Sequence, residues 1–192
     1  MTSANISTMI RGHVLITDAS SGEVILDKNN AIHNKNMAIA IARGLANDVN
    51  GTIFKIKLGN GGSAADGTGQ ITFQAPNVTG ASATLYNATY EEVVDDGDIS
   101  VPAENSVTYQ ENPDPATTTL VICSATISAG EPGGQDSTDT PENPDPETQF
   151  AFDELGLFTS DNKLLTHIIF APILKTANRE LVITYTLTIQ VS

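Results

Sequence analysis

The glycine-rich run GNGG at 59–62 has the composition of a phosphate-binding loop and follows a predicted strand. Such a loop binds a dinucleotide only where a helix begins directly after it, because the helix N-terminus faces the pyrophosphate. Here residues 65–69 read ADGTG, and another predicted strand follows them. We therefore predict no phosphate site, and we interpret 59–69 as a loop that is flexible or contacts a partner.

Two groups of carboxylates have residue types that suit a cation or acid–base chemistry. Asp95, Asp96 and Asp98 follow two glutamates and could gather oxygens around Ca²⁺, although the longer ligand series of a calcium loop is missing. A solvated acidic turn is the preferred interpretation, and a bound cation stays open. Asp153 and Glu154 are neighbours in a predicted strand, where successive side chains point to opposite faces. On their own they are not expected to form a working carboxylate pair.

The remaining candidates are one thiol and three imidazoles. Cys123 is the only cysteine, which excludes an intrachain disulfide and a zinc cage built from cysteines. It lies in an apolar predicted strand without neighbouring cations, so we predict a buried core thiol rather than a nucleophile. His13, His33 and His167 share no metal-ligand spacing, and we expect structural or surface roles for them. The sequence therefore predicts no catalytic, cofactor-binding or metal-binding residue and no enzyme.

The elements that position these residues begin with a predicted hairpin over 13–28, whose apolar halves flank a turn of Asp, Ala, Ser and Gly. A helix is predicted over 34–47, capped by Asn34 or Asn36. Residues 52–58 alternate as a strand that leads into the glycine-rich loop. The helix is expected to pack on a sheet through one apolar stripe, formed by Met37, Ala38, Ile41, Ala42 and Leu45.

The centre of the chain is predicted to contain short strands and long loops. Strands are expected at 71–73, 83–94 and 120–127, where β-branched and aromatic residues are bounded by turn residues. Extended loops rich in acidic residues or proline are predicted at 95–119 and 130–148.

The C-terminal third is predicted to form three longer strands, at 150–158, 164–174 and 180–191. The last of them alternates cleanly between apolar residues and Thr or Gln. Together with the hairpin and the helix, this series predicts one β-rich domain over 1–192. We expect an antiparallel β-sandwich or barrel with one packed helix and long acidic loops.

Charge is distributed very unevenly along the chain. Residues 58–162 contain 18 of the 23 acidic residues and no Lys or Arg, whereas the flanks contain all nine basic residues. The centre therefore has a formal charge of −18 and the flanks +4, for a net charge of −14. Phosphate binding needs clustered cations, so we expect neither nucleic acid nor a membrane as a partner. Neither a signal peptide nor a run of roughly 18 apolar residues that could span a bilayer is evident.

Two blocks of sequence resemble structural proteins of tailed-bacteriophage particles, especially those of large contractile-tailed phages of aquatic bacteria. The first reads GEVILDKNNAIH at 22–33 and leads into the Ala-rich helix and the glycine-rich loop. The second reads FDELGLF at 152–158, continues through KLLTH at 163–167, and ends at Arg179 and the alternating strand. Its strand, turn and strand are similar to an element that recurs in phage tail and fibre modules. The resemblance covers about half of the chain.

The resemblance implies a non-enzymatic structural subunit of the tail, neck or baseplate, made in the host cytoplasm and located in the virion. A capsid decoration protein on the head exterior is the alternative within this class, since a strongly acidic surface suits it. A carbohydrate-binding adhesion module is the alternative from another class, although aromatic residues are scarce and Trp is absent.

Self-assembly into a homo-oligomer is expected to use the charge asymmetry, with the basic flanks of one copy against the acidic centre of the next in a closed ring. Solvated surface charges are the competing interpretation. The predicted partners are other virion proteins and further copies of the chain, and no cofactor is expected. The candidate cations are Arg43, Lys55, Lys57 and Arg179. The candidate carboxylates are Glu91, Glu92, Asp95, Asp96 and Asp98.

Overall fold

The computed structural model describes residues 7–94, 105–111, 117–133 and 150–191. Within these ranges the chain forms strands, a short 3-10 helix at Val49–Gly51 and one α-helix, α1 (Asn34–Leu45). The strands are β1 (Thr8–Asp18), β2 (Val24–Asn29), β3 (Ala31–Ile32), β4 (Ile53–Gly59), β5 (Ser63–Ala65), β6 (Ile71–Phe73), β7 (Ala88–Val93), β8 (Ser106–Glu111), β9 (Thr118–Ile127), β10 (Phe150–Thr159), β11 (Leu164–Lys175) and β12 (Leu181–Val191). Among the described residues, no helix combines the length and the hydropathy that crossing a bilayer requires.

Two five-stranded antiparallel sheets form a β-sandwich, which confirms the predicted fold class. The first sheet has the strand order β2-β1-β12-β9-β8, and the second has the order β3-β11-β10-β4-β7. β5 and β6 form a separate two-stranded hairpin. Apolar residues from both sheets and from α1 belong to one buried core, as expected for two layers that each have one apolar face.

β12 shows how alternation in sequence produces this core. Leu181, Ile183 and Tyr185 point inward and are no more than 1% exposed, while the intervening Val182 and Thr184 stay partly accessible. The alternation continues to Val191, which is 40% exposed. The predicted inward face of the strand is therefore confirmed over its first part, and its last residues extend past the buried core.

The last three strands do not form one continuous meander. β10 and β11 pair in the second sheet, whereas β12 lies in the first, between β1 and β9. The turn at 176–179 therefore carries the chain from one sheet to the other. Arg179 closes this corner, because its Nε donates to Asp18 Oδ2 at 3.0 Å and its Nη1 to the carbonyl oxygen of Leu174 at 3.2 Å.

The predicted N-terminal hairpin and helix are both confirmed, but the predicted helix cap is wrong. β1 pairs with β2, and α1 ends two residues before the predicted boundary. The N-cap is His33 rather than Asn34 or Asn36, because β3 runs to Ile32 and leaves His33 as the residue between strand and helix. His33 Nδ1 accepts the backbone N–H of Asn36 at 3.2 Å, as a polar cap does.

The predicted packing face of α1 is also wrong. Met37 and Ala40 are buried, each 6% exposed, whereas Ala38, Ile41, Ala42 and Leu45 of the predicted stripe are exposed. The polar Asn36 turns toward the sheet instead, and its Nδ2 donates to the carbonyl oxygen of Leu164 at 2.8 Å. That buried hydrogen bond and the His33 cap fix the rotation of the helix, so most of the stripe faces outward.

Two of the predicted loops contain strands. The segment 95–119 includes β8, which pairs with β9 from Ser106 to Glu111, so the backbone groups of β8 on that side have strand partners. The segment 59–69 includes β5, which pairs with β6. Most of the loop predicted at 130–148 lies outside the described residues, as do parts of the segment 95–119. The residues concerned are 95–104, 112–116 and 134–149.

Candidate functional site

Glu154 is the centre of a buried polar cluster in the second sheet. Its side chain is 0% exposed and accepts four hydrogen bonds. Oε1 accepts the N–H groups of Asn87 at 2.7 Å and Gly61 at 3.2 Å. Oε2 accepts the N–H of Tyr86 at 2.8 Å and Nε2–H of His167 at 3.0 Å. The carboxylate therefore ties together three segments that are distant in sequence.

Two opposing effects act on the pKa of Glu154. Burial raises it, because a charged group loses its hydration. The hydrogen bond from His167 and those from the backbone of Asn87, Tyr86 and Gly61 outweigh burial and hold the pKa below its ordinary value of 4.5. Glu154 is thus an ionised carboxylate inside the protein, and its charge is compensated by donors rather than by Lys or Arg.

Asp153 is a second carboxylate of β10, and it binds the glycine-rich loop. Its Oδ1 accepts the N–H of Gly62 at 2.8 Å, and its Oδ2 accepts both the N–H and the hydroxyl of Ser63, at 2.8 and 2.6 Å. We expected Asp153 and Glu154 to point apart, but both reach residues 61–63. The pairing register of β10 with β11 shifts between Phe152 and Glu154, and such irregularities change the direction of side chains.

The glycine-rich loop is therefore an anion-binding loop whose anions belong to the protein itself. Its backbone N–H groups face carboxylate oxygens, as such groups face phosphate in a nucleotide site. Our interpretation of 59–69 as a flexible or partner-contacting loop is wrong for 61–63, because Asp153 and Glu154 hold those residues. Either feature alone gave a weak signal, but a glycine loop and two carboxylates inside an apolar strand are complementary and could have been matched.

The three histidines have separate positions. His167 is 0% exposed, and its Nδ1 accepts the N–H of Asn77 at 2.8 Å, so the proton donated to Glu154 sits on Nε2. His33 caps α1, and its Nε2 lies 2.8 Å from the carbonyl oxygen of Gly80. His13 is exposed and contacts Asp27 at 2.6 Å. The structural and surface roles predicted for them agree with these contacts.

The candidate interface cations are already paired within the chain. Lys55 and Lys57 each approach Glu91 at 3.2 Å. Burial raises the pKa of Glu91, but hydrogen bonds from both lysines outweigh this and lower it. Arg43 contacts Asp161 at 2.7 Å and Asp48 at 3.6 Å, and Arg179 contacts Asp18 at 3.0 Å. Contacts of these cations with a second copy stay a prediction, and each would have to share a side chain that is already paired.

The candidate carboxylates divide into two groups. Glu92 accepts the hydroxyl of Tyr90 and Nδ2–H of Asn105, so it too has partners within the chain. Asp95, Asp96 and Asp98, the carboxylates considered for a cation or a solvated turn, lie outside the described residues. Across 7–94, 105–111, 117–133 and 150–191, the structure groups no three His, Cys, Asp or Glu side chains that could hold a metal ion.

Cys123 has the environment predicted from its strand. It lies on the inner face of β9, opposite Tyr185 of β12, and is 1% exposed. Burial raises the pKa of its thiol to about 12, which keeps it protonated at neutral pH. The prediction of a buried core thiol is confirmed.

Lys175 is a buried cation that the sequence did not single out. It is 0% exposed, and its Nζ donates to the carbonyl oxygen of Thr176 at 3.1 Å. Burial lowers its pKa to about 8 from 10.5, against the opposing effect of Glu131 and Glu180. The unfolded chain therefore holds this proton up to about pH 10.5, whereas the folded chain releases it near pH 8.

Lys175 should therefore contribute a rise of about 1–2 kcal/mol in the free energy of unfolding between pH 8 and pH 9.5, since the unfolded state holds its proton in this window. Cys123 acts in the opposite direction, because its thiol ionises near pH 9 in the unfolded chain and stays protonated in the folded one. Urea unfolding followed by circular dichroism separates the two effects, because Lys175→Met should lose the rise and keep only the decline due to Cys123. The window ends below pH 10, because burial raises the pKa of Tyr185, which destabilises the fold once unfolded tyrosines ionise. A rise that persists in Lys175→Met would contradict the assignment.

Comparison of the chain with protein-family models, with curated proteins and with solved structures gives no match in any of the three.

Proposed function

We propose that this chain is a non-enzymatic structural subunit of a tailed-phage particle, in the tail, neck or baseplate, that acts through protein–protein contacts. The observation that carries the proposal is the position of the two sequence blocks that resemble phage virion proteins. β3 belongs to the first block and pairs with β11 of the second, with Ala31 opposite His167 and Ile32 opposite Thr166. The backbone N–H of His33 also donates to the carbonyl oxygen of Leu165 at 2.9 Å.

The pairing matters because the two blocks are distant in sequence. A resemblance spread over two separate segments is more informative when the segments build one unit, since a shared unit has to keep both. The buried cluster of Glu154 and His167 lies in this unit and joins it to the glycine-rich loop. A rigid sandwich fastened in this way supports the proposal, because a particle subunit must present its surfaces in fixed relative positions.

An antibody raised against the purified chain, applied to intact particles from cells that encode it, tests this function. Gold label at the tail, neck or baseplate is the expected result, together with peptides of the chain in the purified particles. Particles from a strain that lacks the gene are the control. Label on the head would contradict the tail assignment and favour the decoration protein, for which the strongly acidic centre is the supporting observation. Absence of both label and peptides would overturn the proposal.

A further inference from the structure

The outward side of α1 is an exposed apolar surface, which we call the α1 outer face: Ala38, Ile41, Ala42 and Leu45, with Val49 of the following 3-10 helix. Leu45 is 86% exposed, Val49 74% and Ile41 39%. Single exposed apolar residues are ordinary in folded proteins. Here they follow one another at helical spacing, and a continuous apolar patch of this kind marks an interaction surface.

The α1 outer face has opposite charges at its two ends. Lys35 is exposed in the first turn of the helix. Asp48 follows the last turn with its side chain 40% exposed, and its Oδ2 lies 3.6 Å from Arg43 Nε. A surface with a cation at one end and a carboxylate at the other is complementary to its own copy when the two run in opposite directions. Helix pairing of this kind has two-fold symmetry.

We propose that the α1 outer face binds the same face of a second copy, with the two helices antiparallel. Placing Lys35 of each copy opposite Asp48 of the other puts the two-fold axis between Ile41 and Ala42. The same register sets Ala38 against Leu45 and Ile41 against Ala42. Each large side chain then meets a small one, which lets the two helices approach to the roughly 8–10 Å of packed pairs.

The size of the α1 outer face determines how tightly the two copies are expected to bind. The twelve residues of α1 span about 18 Å. A groove of about 390 Å³ between α1 and β1 widens the apolar surface through Ile10, Ile32 and Met37. One short helix pair still buries less than the roughly 800 Å² per partner of a standard interface. The dimer is therefore weak in solution, with a Kd on the order of micromolar.

Light scattering on the purified full chain, from about 1 μM to several hundred μM, measures this association. The mass is expected to rise with concentration from the chain mass of 20.2 kDa toward twice that value. Leu45→Glu should raise the Kd at least tenfold, because it replaces the most exposed large apolar side chain of the contact, opposite Ala38, by a charged one. Val24→Glu is the matched control: Val24 is also apolar and 55% exposed, but lies on β2, and this change should leave the Kd unaltered.

A charge swap tests the register. Lys35→Glu alone should weaken the dimer, whereas Lys35→Glu combined with Asp48→Lys should restore it, because the two changes meet across the axis. A monomer at every concentration, or a Leu45→Glu variant with the original Kd, would overturn the proposal. Asp48→Lys alone is the control, because it also removes the hydrogen bonds that Asp48 Oδ1 accepts from Asn50. A double variant that binds no better than the two single variants would overturn the antiparallel register.

The proposed dimer depends on the proposed function only for its location in a particle. The two proposals can therefore be disproved independently. Absence of the chain from particles would remove the proposed function and leave the solution dimer intact. A strict monomer would remove the contact and leave the particle assignment to the gold-labelling experiment.

Discussion

Replacing Glu154 by Gln should lower the free energy of unfolding by about 3–5 kcal/mol, the loss expected when a buried charge network loses one partner. Each carboxylate oxygen of Glu154 accepts two hydrogen bonds. An amide NH₂ in place of either oxygen faces two donors with another donor, and those buried donors are left unsatisfied. Urea unfolding followed by far-UV circular dichroism measures the loss, since the chain has no Trp.

Glu91→Gln is the matched control for this experiment. Glu91 is a carboxylate of the same sheet, 51% exposed, and paired with two lysines. An exposed ion pair contributes about 0–1 kcal/mol, so this change should be nearly neutral. Equal effects of the two substitutions would contradict the role assigned to the buried cluster.

Glu154 should also account for part of the acid sensitivity of the fold. The pKa of Glu154 is lower in the folded chain than its ordinary 4.5, so the unfolded state binds more protons at acid pH. Its contribution to stability is complete above about pH 4.5 and is lost as the pH falls through the lower folded value. The unfolding free energy of Glu154→Gln should therefore depend less steeply on pH below 4.5 than that of the unchanged chain.

Gly59→Ala should lower the free energy of unfolding by about 3 kcal/mol, at the upper end of overpacking effects. A Cβ added at Gly59 meets the backbone carbonyl oxygen of Asn87 and lies 2.5 Å from Glu154 Oε1. The first neighbour is backbone, and the second belongs to a carboxylate held by four hydrogen bonds, so neither can move without breaking the cluster. Thermal and urea unfolding measure the change.

Gly67→Ala is the matched control for Gly59→Ala. Gly67 belongs to the same glycine-rich segment, and a Cβ there meets nothing within 4 Å. The alanine also restricts the unfolded chain, so stability should be unchanged or rise by up to about 1 kcal/mol. If both variants lost stability equally, the effect would come from backbone freedom rather than from the close approach at Gly59.

Sequence reasoning predicted the elements of the fold well where apolar residues recur at a regular spacing. The alternation of β12, the hairpin of β1 and β2, and the existence of α1 follow from local side-chain patterns, and the structure has all three. These patterns are local, because the side of a strand or helix that faces the core is indicated by the spacing of apolar residues along that element alone. The choice between sandwich and barrel depended on which strands pair, which no local pattern contains.

The glycine-rich loop and the two carboxylates gave a signal in the sequence, but the full buried cluster could not be predicted from it, because its members come from separate parts of the chain. Gly61, Tyr86, Glu154 and His167 meet only after β4, β10 and β11 have paired. The rotation of α1 was missed for a similar reason. Hydrophobicity favoured the stripe that contains Leu45, but the hydrogen bond of Asn36 to the Leu164 carbonyl and the His33 cap decided which side faces the sheet.

The position of β12 has a consequence for how the chain reaches its fold. β12 lies between β1 and β9, and its register joins Thr8 to Val191, near opposite ends of the described chain. Pairing of such distant residues is slow, because a long loop must close before any contact forms. During synthesis, β1 and β9 are made before the strand that separates them and expose open edges to wrong pairing. The first sheet can therefore be completed only after residues 181–191 have left the ribosome.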